Sequence, residues 1–78
     1  MVIKKIILPT INDVKEFVNI MNMVPFNATI KTDRYIVDAK SLMGIFSLDL
    51  ENPVKLNLEC EATEAEDTIK KLEKFIVE

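Results

Sequence analysis

The pattern of hydrophobic and polar positions at the start of the chain predicts a strand followed by a helix. Apolar residues alternate over positions 2–8, with an interruption at Lys4, which indicates a strand near the edge of a sheet. Thr10 and Asp13 then form an N-terminal capping signal, and an apolar stripe with helical spacing follows it. The stripe predicts a helix over residues 11–22 and consists of Ile11, Val14, Phe17, Val18 and Met21.

The middle of the chain has the pattern of a β-hairpin followed by a short helix. Apolar and polar residues alternate over positions 26–31, which predicts a second strand. The polar residues 33–34 connect it to apolar positions 35–37, so the second and third strands form a hairpin. Ser41 precedes a dense apolar segment, 42–48, for which a short helix capped by Ser41 is the best interpretation.

The last third of the chain predicts one strand and one long helix. The strand shows the clearest alternation in the sequence, with apolar residues at Val54, Leu56, Leu58 and Cys60. Thr63 and Glu66 form a second capping signal, and lysines near the end of the segment complement the helix dipole. The buried stripe of this helix is predicted to contain Ala65, Ile69, Leu72 and Phe75 or Ile76.

The predicted element order is β-α-β-β-α-β-α, which indicates an α+β fold. Most of the strands have only one plainly apolar side, so the helices must cover one face of the sheet. The connections are short and the chain shows no repeat, so we expect residues 1–78 to form a single domain.

Composition and charge exclude several classes of function. The chain of 78 residues is 49% hydrophobic and 29% charged, which is enough apolar material for a folded core. Its net charge of −3 argues against direct binding to nucleic acid. It contains no histidine and one cysteine, so we expect no zinc site, no histidine-dependent catalysis, no disulfide, no cofactor and no enzyme activity. The longest apolar runs are too short to span a membrane, which predicts a cytoplasmic protein.

Most residues that could suggest a site have simpler interpretations. Cys60 follows the apolar face of a strand and has acidic neighbours, so we interpret it as a core residue. Asp49 and Glu51 lack the ligand spacing of a calcium loop and fit a solvated turn. Lys40 beside Ser41 does not form a nucleophilic couple without a second base.

Two features of the Ser41 segment leave alternatives open. The hydroxyl of Ser41 at a helix N-terminus is suited to an anion, although a plain N-cap explains the residue as well. The short helix also carries more apolar side chains than one stripe can bury, which favours either a protein-recognition surface or a helix covered at the edge of a layer. These side chains are Leu42, Met43, Ile45, Phe46 and Leu48.

The same segment carries a family resemblance. The run Val-Asp-Ala-Lys-Ser-Leu-Met-Gly-Ile-Phe-Ser-Leu at residues 37–48 resembles the Lys-Ser-x-Met-Gly-x-x-Ser-Leu signature of HPr, the small phosphocarrier of the bacterial sugar phosphotransferase system. The length and element order of the chain are also similar to those of HPr. The resemblance implies an open-faced sandwich, with an antiparallel four-stranded sheet in the order 1-4-2-3 and three helices on one face.

The resemblance also implies that the carrier site of the family is lost. In HPr a motif containing the phosphorylated histidine begins the first helix, and here Thr10 takes the position of that histidine. Asn12 takes the position of the arginine that helps to hold the phosphate. Threonine cannot form the high-energy phosphoramidate on which transfer depends, so we expect no catalytic residue and no phosphohistidine carrier activity.

The remaining family features imply a regulatory role. Ser41 matches the regulatory phosphorylation site, and Leu42, Met43 and Phe46 match the recognition helix, with Lys40 in a supporting position. This arrangement resembles Crh, a paralogue of HPr that lacks the histidine. The implied partners are a serine-specific HPr kinase/phosphorylase and a catabolite-control transcription regulator, with the protein itself a monomer or weak dimer. The alternative is a small ligand-binding or self-associating domain that kept the scaffold and lost its phosphotransferase connections.

Overall fold

A computed structural model describes residues 1–77 of the chain. These residues form four β-strands, three α-helices and one turn of 3₁₀-helix. In chain order the elements are β1 (Val2–Ile6), α1 (Ile11–Met21), β2 (Ala28–Lys31), β3 (Ile36–Asp38), α2 (Leu42–Phe46), β4 (Val54–Leu58), α3 (Ala62–Lys71) and the 3₁₀ turn (Glu73–Phe75). The predicted element order is confirmed.

The four strands form one antiparallel sheet in the order β1-β4-β2-β3. Val2 is opposite Leu58 in the β1–β4 pair, and the same Leu58 is opposite Ala28 in the β4–β2 pair. The strand with the clearest alternation therefore lies inside the sheet, where its apolar face is covered along its whole length. The order implied by the family resemblance is confirmed.

The core lies between one face of this sheet and the helices. Ile6, Ile30 and Leu56 are fully buried on the covered face, whereas the residues that alternate with them on the strands are largely exposed. Helix α1 buries four residues, which are Val14, Phe17, Val18 and Met21. The first residue of its predicted stripe, Ile11, is exposed because it lies at the first turn, beyond the edge of the core.

The start of α3 differs from the prediction. The helix is capped at Glu61, whose backbone N–H donates a hydrogen bond to Oε1 of Glu64 at 3.2 Å. The carbonyl of Glu61 already accepts from the N–H of Ala65 at 3.1 Å, so Thr63 lies inside the first turn. The predicted capping signal of Thr63 and Glu66 is therefore wrong, and an equivalent pair two residues earlier performs its role.

The segment after α3 is the second difference. The helix ends at Lys71, and the 3₁₀ turn then brings the chain beside β1, where Ile76 forms an isolated bridge with Ile6. Hydrogen bonds join the N–H of Val77 to the carbonyl of Lys5 at 2.9 Å and the N–H of Ile7 to the carbonyl of Phe75 at 2.8 Å. This pairing covers part of the open edge of β1, which limits edge-to-edge association there.

Burial of an aromatic pair explains why the helix does not continue. The ring of Phe75 meets the ring of Phe17 edge to face, with centroids 6.1 Å apart and an interplanar angle of 83°. Both rings are buried, so the turn that places Phe75 in the core adds apolar burial that stabilises the fold. Lys74 forms an ion pair with Glu16 of α1 beside this contact.

Candidate functional site

The N-terminus of α1 is closed by an internal cap. Thr10 has an extended backbone, and its Oγ1 accepts a hydrogen bond from the N–H of Asp13 at 3.1 Å. The same hydroxyl donates to Oδ2 of Asp13 at 2.8 Å. Both hydrogen-bonding roles of the hydroxyl are thus in use, and a carboxylate already occupies the positive end of the helix. The predicted cap is confirmed.

Chemistry at this helix end is limited by the residues present. The Asp13 carboxylate next to the Thr10 hydroxyl would repel an incoming phosphoryl group, because like charges raise the energy of a shared site. Asn12 is exposed and carries no charge that could offset this repulsion. The geometry suits a stable cap and is unsuited to binding phosphate.

Ser41 caps the short helix α2 through a similar bond. Its Oγ accepts from the N–H of Gly44 at 3.1 Å, and its carbonyl accepts from the N–H of Ile45 at 3.1 Å. The backbone N–H of Ser41 donates to the carbonyl of Asp38 at 3.0 Å, which fixes the residue from the preceding strand as well. The predicted helix cap is confirmed, and the half-buried hydroxyl lies at the end of the helix that favours negative charge.

Gly44 allows the close approach on which this cap depends. A Cβ atom added at Gly44 would lie 3.2 Å from Oγ of Ser41 and 3.4 Å from the Cβ atoms of Ser41 and Val37. The backbone of Gly44 does not have a positive φ, so conformational freedom does not explain the residue. The lack of a side chain leaves space for the Ser41 hydroxyl beside the first turn of the helix.

Lys40 connects two helices. Its ammonium group donates to the carbonyl of Val24 at 2.9 Å in a partly buried hydrogen bond, and its backbone N–H donates to Oδ1 of Asp38 at 2.9 Å. Nδ2 of Asn22 donates to the carbonyl of Lys40 at 3.3 Å and to that of Val18 at 2.9 Å. The residues before Ser41 are therefore attached to the end of α1.

The sequence offered no signal for this connection. Asn22 and Val24 meet Lys40 only because α1 and α2 pack together, and no local spacing relates positions so far apart. The family resemblance implies a supporting role for Lys40 beside Ser41. In the structure its ammonium group donates to the carbonyl of Val24, in the connection that follows α1.

The apolar residues of the short helix divide between core and surface. Ile45 and Leu48 are buried, Leu42 is half-buried, and the side chains of Met43 and Phe46 are 80% and 40% exposed. A helix of five residues that packs against α1 and β3 can bury only one stripe. Met43 and Phe46 therefore form an exposed apolar pair, together with half-buried Leu42, one turn from the Ser41 hydroxyl. We call Ser41, Leu42, Met43 and Phe46 the Ser41 surface.

The single cysteine lies outside this surface. Cys60 follows the end of β4 and is half-buried against the core, so its predicted full burial is only partly correct. Burial raises the pKa of its thiol, and the carboxylate of Glu64, with a smaller effect from Glu61, raises it further. The raised pKa favours the protonated form of the thiol, which is the less reactive one.

Neither a metal cluster nor a membrane-spanning helix occurs in the part of the chain that the structure describes. No group of three or more His, Cys, Asp or Glu side chains within residues 1–77 is arranged to hold a metal ion. Within the same residues, no helix has the length and apolar character needed to cross a membrane.

Comparison with known families identifies the fold and its most distinctive motif. The family model described as the PTS HPr component phosphorylation site matches residues 13–78, which include the whole Ser41 surface. The chain belongs to the HPr family. The match begins at Asp13, three residues beyond Thr10, so the position of the family histidine lies just outside it.

A solved HPr structure supports this membership. The crystal structure of HPr-C-His from Thermoanaerobacter tengcongensis is 30% identical in sequence, and the aligned region covers 94% of this chain and 85% of that one. The two folds superpose with a TM-score of 0.72. Among proteins with curated descriptions, none matches this sequence.

Membership of the family confirms the predicted HPr resemblance and its α+β sandwich. Proteins of this family serve the sugar phosphotransferase system and act together with partner proteins of that system. The roles assigned to Ser41, Leu42, Met43, Phe46 and Lys40 stay predictions, as does the similarity to Crh.

Proposed function

We propose that this protein is a non-catalytic regulatory or adaptor member of the HPr family, which acts in the cytoplasm by binding proteins through the Ser41 surface. The observation that carries the proposal is the contrast between the two helix starts. Thr10 stands in the histidine position with its hydroxyl bonded twice to Asp13, whereas Ser41 keeps the family motif beside exposed apolar side chains.

Loss of phosphocarrier activity follows from the chemistry of residue 10. A carrier needs an imidazole to form a phosphoramidate, and a threonine phosphoester is a poor donor. The hydroxyl of Thr10 would also have to leave its cap and accept a dianionic phosphate beside the Asp13 carboxylate. We expect incubation with phosphoenolpyruvate and the first enzyme of the phosphotransferase system to leave the mass of the protein unchanged.

This test has a direct control in an HPr protein that carries the family histidine. That protein should gain the mass of one phosphoryl group under identical conditions. Transfer of phosphate to the present chain, and from it to a sugar-specific acceptor, would contradict the proposal.

Ser41 is suited to act as the switch. A phosphate there adds a charge of about −2 at pH 7 at the N-terminus of α2, where the dipole favours an anion by about 0.3–1 kcal/mol. The kinase must first release the hydroxyl from its bond to the N–H of Gly44, and the phosphate oxygens can then accept from the same N–H. The fold should therefore survive the modification, and the effect should be on recognition.

The partner surface follows from the side chains around Ser41. A partner needs an Arg or Lys opposite the phosphate and an apolar pocket for Met43 and Phe46, since desolvated apolar anchors dominate binding energies. A serine-specific HPr kinase/phosphorylase and a catabolite-control transcription regulator are the partners that this surface and the family membership favour.

The proposal is tested by binding measurements with these two candidates. Phosphorylation of Ser41 should strengthen binding to the regulator, and Ser41→Ala should abolish that gain. Met43→Ala and Phe46→Ala should weaken binding by about tenfold each, the loss of about 1.4 kcal/mol that an apolar anchor supplies. The matched control is Ile3→Ala, which removes an exposed apolar side chain from β1. Equal affinities for all forms would show that Ser41 is only a cap.

Mass spectrometry of protein from its native host addresses the cellular state. Phosphate on Ser41 would support the regulatory role. Its absence under every carbon source would favour the alternative, a self-associating or ligand-binding domain without phosphotransferase connections.

A further inference from the structure

The face of the sheet opposite the helices carries a row of lysines. Lys5 on β1 is directly opposite Lys55 on β4, and Lys55 is directly opposite Lys31 on β2. All three side chains are exposed, and their strand neighbours Ile6 and Ile30 are buried on the other face. Directly opposed residues of a sheet project from the same face, so the three cations lie side by side.

The direct opposition of Lys31 and Lys55 is unfavourable for the isolated protein. Adjacent strands are about 5 Å apart, and like charges directly opposite each other destabilise a sheet. The chain has 13 acidic residues and only 10 basic ones, so its composition leaves ample carboxylates for compensation. Within residues 1–77, however, Lys31, Lys55 and Arg34 form no ion pair with a carboxylate. Their charges are available to a ligand.

The row meets an open groove of about 850 Å³ at one end of the sheet. The groove lies between the β2–β3 loop and the loop from α2 to β4, and all three lysines line it. Arg34 and Tyr35 contribute from the first loop, and Ser47 contributes a hydroxyl from the second. Four cationic groups thus line one concave site together with Tyr35, whereas the hydroxyl of Ser47 already donates its proton to the carbonyl of Gly44 at 2.6 Å.

We propose that this groove binds a compact, multiply charged anion of the phosphate class. A guanidinium group and several ammonium groups around a concavity supply the charge-assisted hydrogen bonds that phosphate oxygens accept best. The lysine row lies on the face of the sheet opposite the core, and the groove continues around the end of the sheet to Val54. The proposed site is independent of the function proposed for the Ser41 surface.

The acidic residues of the groove favour a small ligand over an extended one. Asp33 and Asp49 also line it, and Oδ1 of Asp49 accepts a hydrogen bond from the N–H of Glu51 at 3.0 Å. With a net charge of −3, the protein repels an extended polyanion such as a nucleic acid or an anionic membrane. A small anion meets less repulsion from these carboxylates and from the net negative charge than an extended polyanion does, so the groove favours a compact ligand.

The test uses inorganic pyrophosphate as the probe and follows the amide resonances of the full chain by NMR at low salt. Saturable shifts should be confined to residues that line the groove. The double variant Lys31→Gln/Lys55→Gln should weaken binding by about tenfold or more, because both lost groups donate charge-assisted hydrogen bonds. Lys70→Gln/Lys71→Gln, which removes the same charge from the exposed side of α3, should change the affinity less than about twofold.

Thermal unfolding of the groove variant separates binding from folding. Because the substitutions relieve repulsion between opposed lysines, the variant should melt at or above the temperature of the wild type. Three outcomes overturn the proposal: no saturable shifts with pyrophosphate, equal weakening in the two double variants, or saturable binding of hexaglutamate or phosphatidylglycerol vesicles without binding of pyrophosphate.

Discussion

The close contact between Gly44 and the Ser41 hydroxyl makes the effect of Gly44→Ala depend on the residue at position 41. A Cβ atom at Gly44 would lie 3.2 Å from Oγ of Ser41, which is too close unless the hydroxyl moves. The backbone of Ser41 is held by hydrogen bonds to Asp38 and Ile45, so only its side chain can yield. The hydroxyl must give way by a few tenths of an ångström, which weakens its 3.1 Å bond to the N–H of residue 44.

Two opposing free energies set the expected magnitude. Replacing glycine by alanine within a helix stabilises it by about 0.5–1 kcal/mol. Loss of a serine N-cap costs about 1 kcal/mol, within a range of roughly 0.5–2. In the wild-type background the two terms offset each other, so Gly44→Ala should change the free energy of unfolding by less than about 0.5 kcal/mol.

The balance changes once the hydroxyl is removed. In a Ser41→Ala background the remaining contacts of the new Cβ are at 3.4 Å, an ordinary van der Waals distance. Gly44→Ala should then stabilise the protein by about 0.5–1 kcal/mol, a rise in melting temperature of about 2–8 °C for a domain of this size. The predicted coupling energy between the two positions is about 0.5–1 kcal/mol, with complete loss of the cap as its upper limit.

A double-mutant cycle measured by urea unfolding, with circular dichroism as the readout, provides the assay. The four proteins are the wild type, Ser41→Ala, Gly44→Ala and the double variant. A coupling energy below about 0.3 kcal/mol would refute the reasoning, because residues that do not interact behave additively within that margin. The result also bears on the proposed function, since it measures how firmly the cap holds the hydroxyl that phosphorylation of Ser41 would have to release.

Two further predictions concern the core and the thiol. Phe75→Ala should lower the free energy of unfolding by about 3–5 kcal/mol, because it removes a buried ring packed on Phe17. Phe46→Ala, at the surface, should lower it by less than about 1 kcal/mol. Urea unfolding of the two variants and the wild type measures both changes. Cys60 should react with iodoacetamide more slowly in the folded than in the unfolded protein at the same pH, because burial and Glu64 raise its pKa. Glu64→Gln should speed the reaction of the folded protein with iodoacetamide. Equal rates for the folded protein, the unfolded protein and the variant would contradict the raised pKa.

The raised pKa of Cys60 also makes the stability of the protein depend on pH in a defined direction. A thiol with a raised pKa in the folded state stays protonated to higher pH than in the unfolded chain. Its contribution to stability is therefore complete below the pKa of the unfolded thiol and is lost as the pH rises through the folded pKa. Unfolding midpoints measured across the alkaline range should fall more steeply for the wild type than for Cys60→Ala.

Local patterns in the sequence were sufficient for the order of the strands and helices and for the caps of α1 and α2, whereas the predicted cap of α3 was wrong. Along residues 54–58 every second side chain lies on the covered face, so the local alternation is enough to predict this strand. The caps at Thr10 and Ser41 are bonds between residues three apart, so the spacing that predicts them is also the geometry that forms them. The loss of the carrier histidine is likewise visible without a structure.

Contacts between distant segments required the tertiary structure. The strand order was implied by the family resemblance and not by any local pattern, because pairing joins positions as far apart as Val2 and Leu58. The lysine row exists only in that register, and the bond from Lys40 to Val24 exists only because two helices pack together. The turn at Phe75 is of the same kind: burial against Phe17 outweighed the local preference for helix, since apolar burial exceeds intrinsic helix propensity by several-fold per residue.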